Sequence, residues 1–148
     1  MNILLAYGHY LALALGAGSI GLRATRLREA KAGGSPSGIL VADNLWGIAA
    51  LLWIVTGLMR AFAGFEKGSA YYLQNPWFWI KMGLFLFLFL LELWPMITFI
   101  RWRIAKKETV AESDLPTLRK FSLISRAELL LVLLIPLFAV VMARRGFF

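Results

Sequence analysis

The sequence predicts an all-α fold: an integral membrane bundle of four transmembrane helices. Three observations carry this. Of 148 residues, 60% are hydrophobic and only 16% are charged, against about 25% charged in soluble domains. Mean hydropathy is +0.72. The apolar residues also gather into four runs, each long enough to cross a ~30 Å hydrocarbon core at ~1.5 Å per residue. This composition argues against both a soluble domain and a disordered chain.

The first run covers residues 3–22, ILLAYGHYLALALGAGSIGL, without one residue charged at neutral pH. Basic residues follow it instead of preceding it, which argues against a cleaved signal peptide. The second covers residues 39–65, around the uninterrupted WGIAALLWIVTGLM. The third covers residues 77–100, with Lys81, Glu92 and Pro95 inside it. The fourth covers residues 123–143, with Arg126 and Glu128 in its first turns and Pro136 in its middle. Period-two alternation is missing and the runs are too long for membrane strands. A stretch such as FLFLFLL has no polar face, so lipid and not water is its solvent. Backbone groups in lipid must pair within the segment, and helices result.

Charge sets an expected orientation. Segment 23–38 holds Arg23, Arg26, Arg28 and Lys31; segment 101–122 holds Arg101, Arg103, Lys106, Lys107, Arg119 and Lys120. The other side has Lys67, Arg144 and Arg145, a tally of ten against three. The positive-inside rule then makes 23–38 and 101–122 cytoplasmic loops and puts both termini on the outer, periplasmic side of a bacterial inner (plasma) membrane. Tyr71, Tyr72, Trp77 and Trp79 read as an outer aromatic belt and Trp102 as an inner one. The net charge of +8 suits anionic lipid headgroups as partners, and nothing in its placement points to nucleic acid.

Ionisable residues within the spans are the functional lead, since each is costly in lipid. His9, Arg60 and Lys81 are expected in the outer half; Asp43, Glu92, Arg126, Glu128 and Arg23 in the inner half. His9 is the single histidine. Three readings of it stay open: a hydrogen-bonded structural residue, a haem ligand, or a proton carrier. Ala12, Gly16, Ser19 and Arg23 share its side of the helix, a small-residue stripe that admits a neighbouring helix or a flat cofactor. Asp43 reads as an N-cap of the second helix or as a partner of Arg23 or Arg126. Arg60 and Lys81 read as snorkelling cations or as donors to a ligand carboxylate. Glu92, deep in an apolar run, must pair with a cation or hold a proton. Cysteine is absent, which removes disulfides and thiolate chemistry, and no second histidine supports a zinc site.

The runs DNLWGIAA, RAFAGFEKGSAYYLQNPWFWIK and LWPMITFIRW, with the first-span histidine, resemble the DUF2214 family of small bacterial membrane proteins over nearly the whole chain. Residues 60–81 are the most specific part. More distantly, His9, Lys81 and the stretch SRAELLLVLLIP resemble the HemJ-type protoporphyrinogen oxidases. The Asn-Glu-x-Pro region of that family has Ala127 and Leu130 in place of its Asn and Pro here. This second resemblance implies haem b as cofactor, His9 as its iron ligand, Arg60 or Lys81 at the propionates, and a redox or porphyrin-oxidising activity. The alternatives are a non-enzymatic structural or accessory membrane protein, or a small proton or solute carrier, which four helices would form only as a homo-oligomer.

Overall fold

The computed structural model describes residues 3–31, 33–63 and 69–145, with the side chain of Arg145 and both chain ends outside that description. The described residues are mainly helical and contain no strand. Helix α1 spans Ile3–Ala30, α2 Ser37–Phe62, α3 Ser69–Leu73, α4 Pro76–Ile104 and α5 Leu115–Arg145. A 3-10 turn, Glu112–Asp114, leads into α5. Helices α1, α2 and α4, and α5 together with that turn, are each long and apolar enough to cross a membrane.

The helices run past the expected limits, chiefly on the side where the basic loops were expected. Helix α1 continues through Arg23 to Ala30, α4 through Arg103 to Ile104, and α5 starts at Leu115. Much of 23–38 and 101–122 is therefore helix, and the true connections are 31–36 and 105–114. Arg23, Arg26, Thr25 and Leu22 carry no helix breaker between them, and Gly33 with φ +91° supplies the turn that ends the run. At the other end Asn75 caps α4 by accepting from Trp77 N at 3.0 Å, with Pro76 at the first helical position.

The four long helices alternate in direction. Around the bundle the order is α2, α1, α5, α4, with α2 and α4 meeting only sparsely. Side chains bridge that seam: Trp53 meets Phe85 edge-on at 5.5 Å. The expected small-residue stripe of α1 is buried at Ala12, Gly16 and Ser19, and a helix occupies it. A Cβ on Gly16 would lie 2.7 Å from the Trp46 indole, so only glycine admits α2 this closely. The apolar core between the two polar regions includes Ala12, Ile20, Trp46, Ala49, Trp53, Leu88, Val132 and Ile135, drawn from every long helix. A second apolar cluster around Leu27, Ile39, Phe99 and Phe121 closes the far end. Of the expected aromatic belt, Trp79 is exposed; Tyr72 and Trp102 are packed inside.

Candidate functional site

Two polar regions result, one towards each end of the bundle. The first is a cavity of about 420 Å³ whose lining includes His9, Arg60 and Lys81. These come from α1, α2 and α4, at the start, end and start of each helix, because neighbouring helices run in opposite directions. The remaining walls are mostly aromatic and aliphatic, among them Phe78, Phe85, Ile135 and Pro136. A shallower cleft along the α2–α4 seam shares Ile54, Met82 and Phe85 with this cavity.

The hydrogen bonds of His9 define its state. Trp53 Nε1 lies 3.1 Å from His9 Nε2, and an indole N–H only donates. Nε2 is therefore the acceptor, and the ring proton sits on Nδ1. Nδ1 donates to Thr56 Oγ1 at 2.8 Å, while the Thr56 hydroxyl donates to Leu52 O at 2.6 Å. His9 is thus a neutral imidazole with both nitrogens engaged by α2. Gly57 makes this approach possible, since a Cβ there would lie 3.2 Å from His9 Cε1. The Arg60 guanidinium lies over the Tyr10 ring at 5.4 Å and the Lys81 ammonium over Phe78 at 5.1 Å, both favourable cation–π contacts. His9, Arg60 and Lys81 each have a further interaction besides these.

The second region is a buried ion network centred on Arg23, which is 0% exposed. Its Nη1 donates to Glu92 Oε1 at 2.8 Å and to Asp43 Oδ1 at 3.3 Å. Nη2 donates to Glu92 Oε2 at 2.9 Å and to Glu128 Oε2. Nε donates to Ser125 Oγ at 3.2 Å. Asp43 Oδ2 accepts from Arg103 Nη2 at 2.5 Å.

The sequence-derived candidates fall into three groups. His9, Arg60 and Lys81 line one cavity. Asp43, Glu92 and Glu128 converge on Arg23. Arg126 is exposed on the opposite side of α5 and does not join them. The N-cap reading of Asp43 is corrected: α2 begins at Ser37, so Asp43 lies inside the helix with its own backbone paired and its side chain committed to Arg23 and Arg103. Gly64, one helical turn beyond Arg60 in the sequence, lies outside the described residues. Sequence reasoning missed Arg103, Thr56 and Ser125. Lys81, Glu92 and Arg103 recur every eleven positions, about three helical turns, so extending α4 would have found Arg103.

At the network end, beyond the spans, Lys31 Nζ donates to Ser122 Oγ at 3.2 Å. Desolvation, then the charges of Arg119, Arg126 and Arg28, hold its ammonium below the ordinary lysine range.

A family model described as "Predicted membrane protein (DUF2214)" matches residues 1–147. No curated protein and no solved structure matches the chain, and the likeness to the protoporphyrinogen oxidases gains no support.

Proposed function

The chain belongs to the DUF2214 family of predicted membrane proteins, and from that premise we propose a binding role for the cavity: a non-enzymatic, accessory membrane protein that holds an apolar molecule with an anionic head. The observation that carries this reading is the convergence of His9, Arg60 and Lys81 on one otherwise apolar cavity. Its volume suits a small organic ligand. The walls match a hydrocarbon or ring system; the guanidinium and ammonium match a carboxylate through charge-assisted hydrogen bonds. Entry along the α2–α4 seam suits a ligand already dissolved in the bilayer.

Haem b fits this cavity only in part. Arg60 and Lys81 suit propionates. His9, though, spends the Nε2 lone pair on Trp53 and the Nδ1 proton on Thr56, so neither nitrogen is presented to an iron. A metal-free carboxylate amphiphile, a porphyrin included, leaves both His9 hydrogen bonds in place.

The test is binding of palmitate, of protoporphyrin and of hexadecanol to the purified full-length protein in mild detergent. A carboxylate ligand should bind and the alcohol should not. Arg60→Gln and Lys81→Gln should each weaken that binding roughly tenfold or more, the worth of a hydrogen bond to a charged group. Equal binding of acid and alcohol, or binding unchanged in both variants, refutes the reading. A Soret band that collapses in His9→Ala would instead favour haem.

For placement we infer a bacterial inner membrane with the network end in the cytoplasm. After Arg23 and Arg103 are assigned to the network, Arg26, Arg28, Lys31, Arg101, Lys106, Lys107, Arg119 and Lys120 still crowd that end, as the positive-inside rule asks. Reporter fusions at residue 110 should report inside and at residue 148 outside; the reverse pattern refutes this orientation.

A further inference from the structure

The ion network carries an inference independent of the cavity. Its charges do not balance. Three carboxylates, Asp43, Glu92 and Glu128, face two guanidiniums, Arg23 and Arg103. Ser125 adds one neutral hydroxyl, bonded to Arg23. Among the described residues, the charged groups facing the site are Arg23 from α1, Asp43 from α2, Glu92 and Arg103 from α4, and Glu128 from α5. Lys31 is turned to Ser122. Fully ionised, the network would carry a net charge of −1 between two apolar clusters, where an unpaired charge is costly.

We propose that Glu92 and Glu128 together bind one proton at neutral pH, forming a buried carboxyl–carboxylate pair. The geometry selects these two. Asp43 gives one oxygen to each arginine, Oδ1 to Arg23 and Oδ2 to Arg103, so it is satisfied as a carboxylate. Glu92 and Glu128 crowd the same nitrogen, Arg23 Nη2, which sets an oxygen of each beside the other's. Ionised carboxylates only accept; two of them bond only when a proton sits between them. Glu128 is 0% exposed, and its Oε1 is buried with no hydrogen-bond partner among the described residues. A proton suits the site better than a metal ion: no cluster of three or more metal-ligating side chains occurs among the described residues, and Arg23 already occupies the centre. Exchange with the outside runs through Glu92, whose side chain is 14% exposed. The apolar core separates this proton from the His9 cavity.

Infrared spectroscopy of the full-length protein in lipid nanodiscs at neutral pH reads the proton directly. A carboxylic C=O band, sensitive to deuterium, is expected in the wild type. It should vanish in Glu92→Gln and in Glu128→Gln and persist in the surface control Glu112→Gln. Glu128→Gln should leave the thermal midpoint close to wild type, because a neutral amide replaces a neutral acid; Glu92→Gln should lower it somewhat, because one prong of the Arg23 contact is lost; the double variant should lose most, because Arg23 then keeps only Asp43 as a charged partner. No such band in the wild type overturns the proposal. So does a band unchanged in both single variants. Should a Gln variant fail to fold, glutamate-selective carbon-13 labelling of the wild type decides: a band that shifts supports the assignment, and one that does not overturns it.

Discussion

Arg23 and Glu92 lie 69 positions apart and meet through two parallel hydrogen bonds, Nη1 to Oε1 at 2.8 Å and Nη2 to Oε2 at 2.9 Å. This two-pronged contact ties α1 to α4 across the bundle interior. Only a planar fork of donors makes it. Removing Arg23 strands several buried carboxylates, and breaking one buried pair already costs about 3–5 kcal/mol. Arg23→Met is expected to lower stability by at least that much in detergent-based unfolding. Arg23→Lys should recover only part, since an ammonium cannot reproduce the fork. Full recovery by lysine would show that charge alone suffices.

Two glycines of α1 should respond in opposite ways to the same change. Gly16→Ala drives a methyl to within 2.7 Å of the Trp46 ring. Overpacking of this kind costs about 1–3 kcal/mol. Gly18 has open space around its missing Cβ, so Gly18→Ala should be neutral or raise stability by up to about 1 kcal/mol. Thermal unfolding of both variants side by side checks the packing of α1 on α2.

Trp53 decides what His9 can bind. Trp53→Phe removes the donor from His9 Nε2 and leaves a lone pair available. Nitrogen-15 NMR of the wild type should show a neutral imidazole protonated at Nδ1. Haemin added to Trp53→Phe in detergent should give a His9-dependent Soret shift that the wild type lacks. An equal shift in the wild type would mean that the Trp53 bond yields readily to iron.

Lys31 gives a pH dependence whose sign is fixed. Its folded-state proton affinity is below that of the unfolded chain. Between the two values the unfolded state binds more protons, so stability rises with pH there. The gain should be seen as pH approaches the ordinary lysine value from below, and Lys31→Gln should flatten it. A wild-type slope of the opposite sign would contradict the desolvation and like-charge crowding described at this position.

The spans were legible because lipid imposes a plain rule on composition: long apolar runs must be helices. Their ends were not. Segments 23–30 and 101–104 are rich in charge, so hydropathy assigns them to loops, yet their helices continue because basic side chains point outward or into the network. That error hid Arg103. His9, Arg60 and Lys81 could be grouped beforehand, since alternating helix direction gives each a depth. The partners of His9 could not: whether Trp53 or Thr56 faces α1 depends on helix rotation, which one sequence does not disclose. Arg126 and Glu128, two positions apart, share a depth in the sequence, but i and i+2 on a helix face different ways.

An apolar layer shared by all four long helices lies between the two polar ends of the bundle. The transmembrane voltage would drop mainly across that layer, so neither polar end feels the whole field. Cells producing large amounts of the chain should keep their membrane potential, which sets this architecture apart from that of a pore.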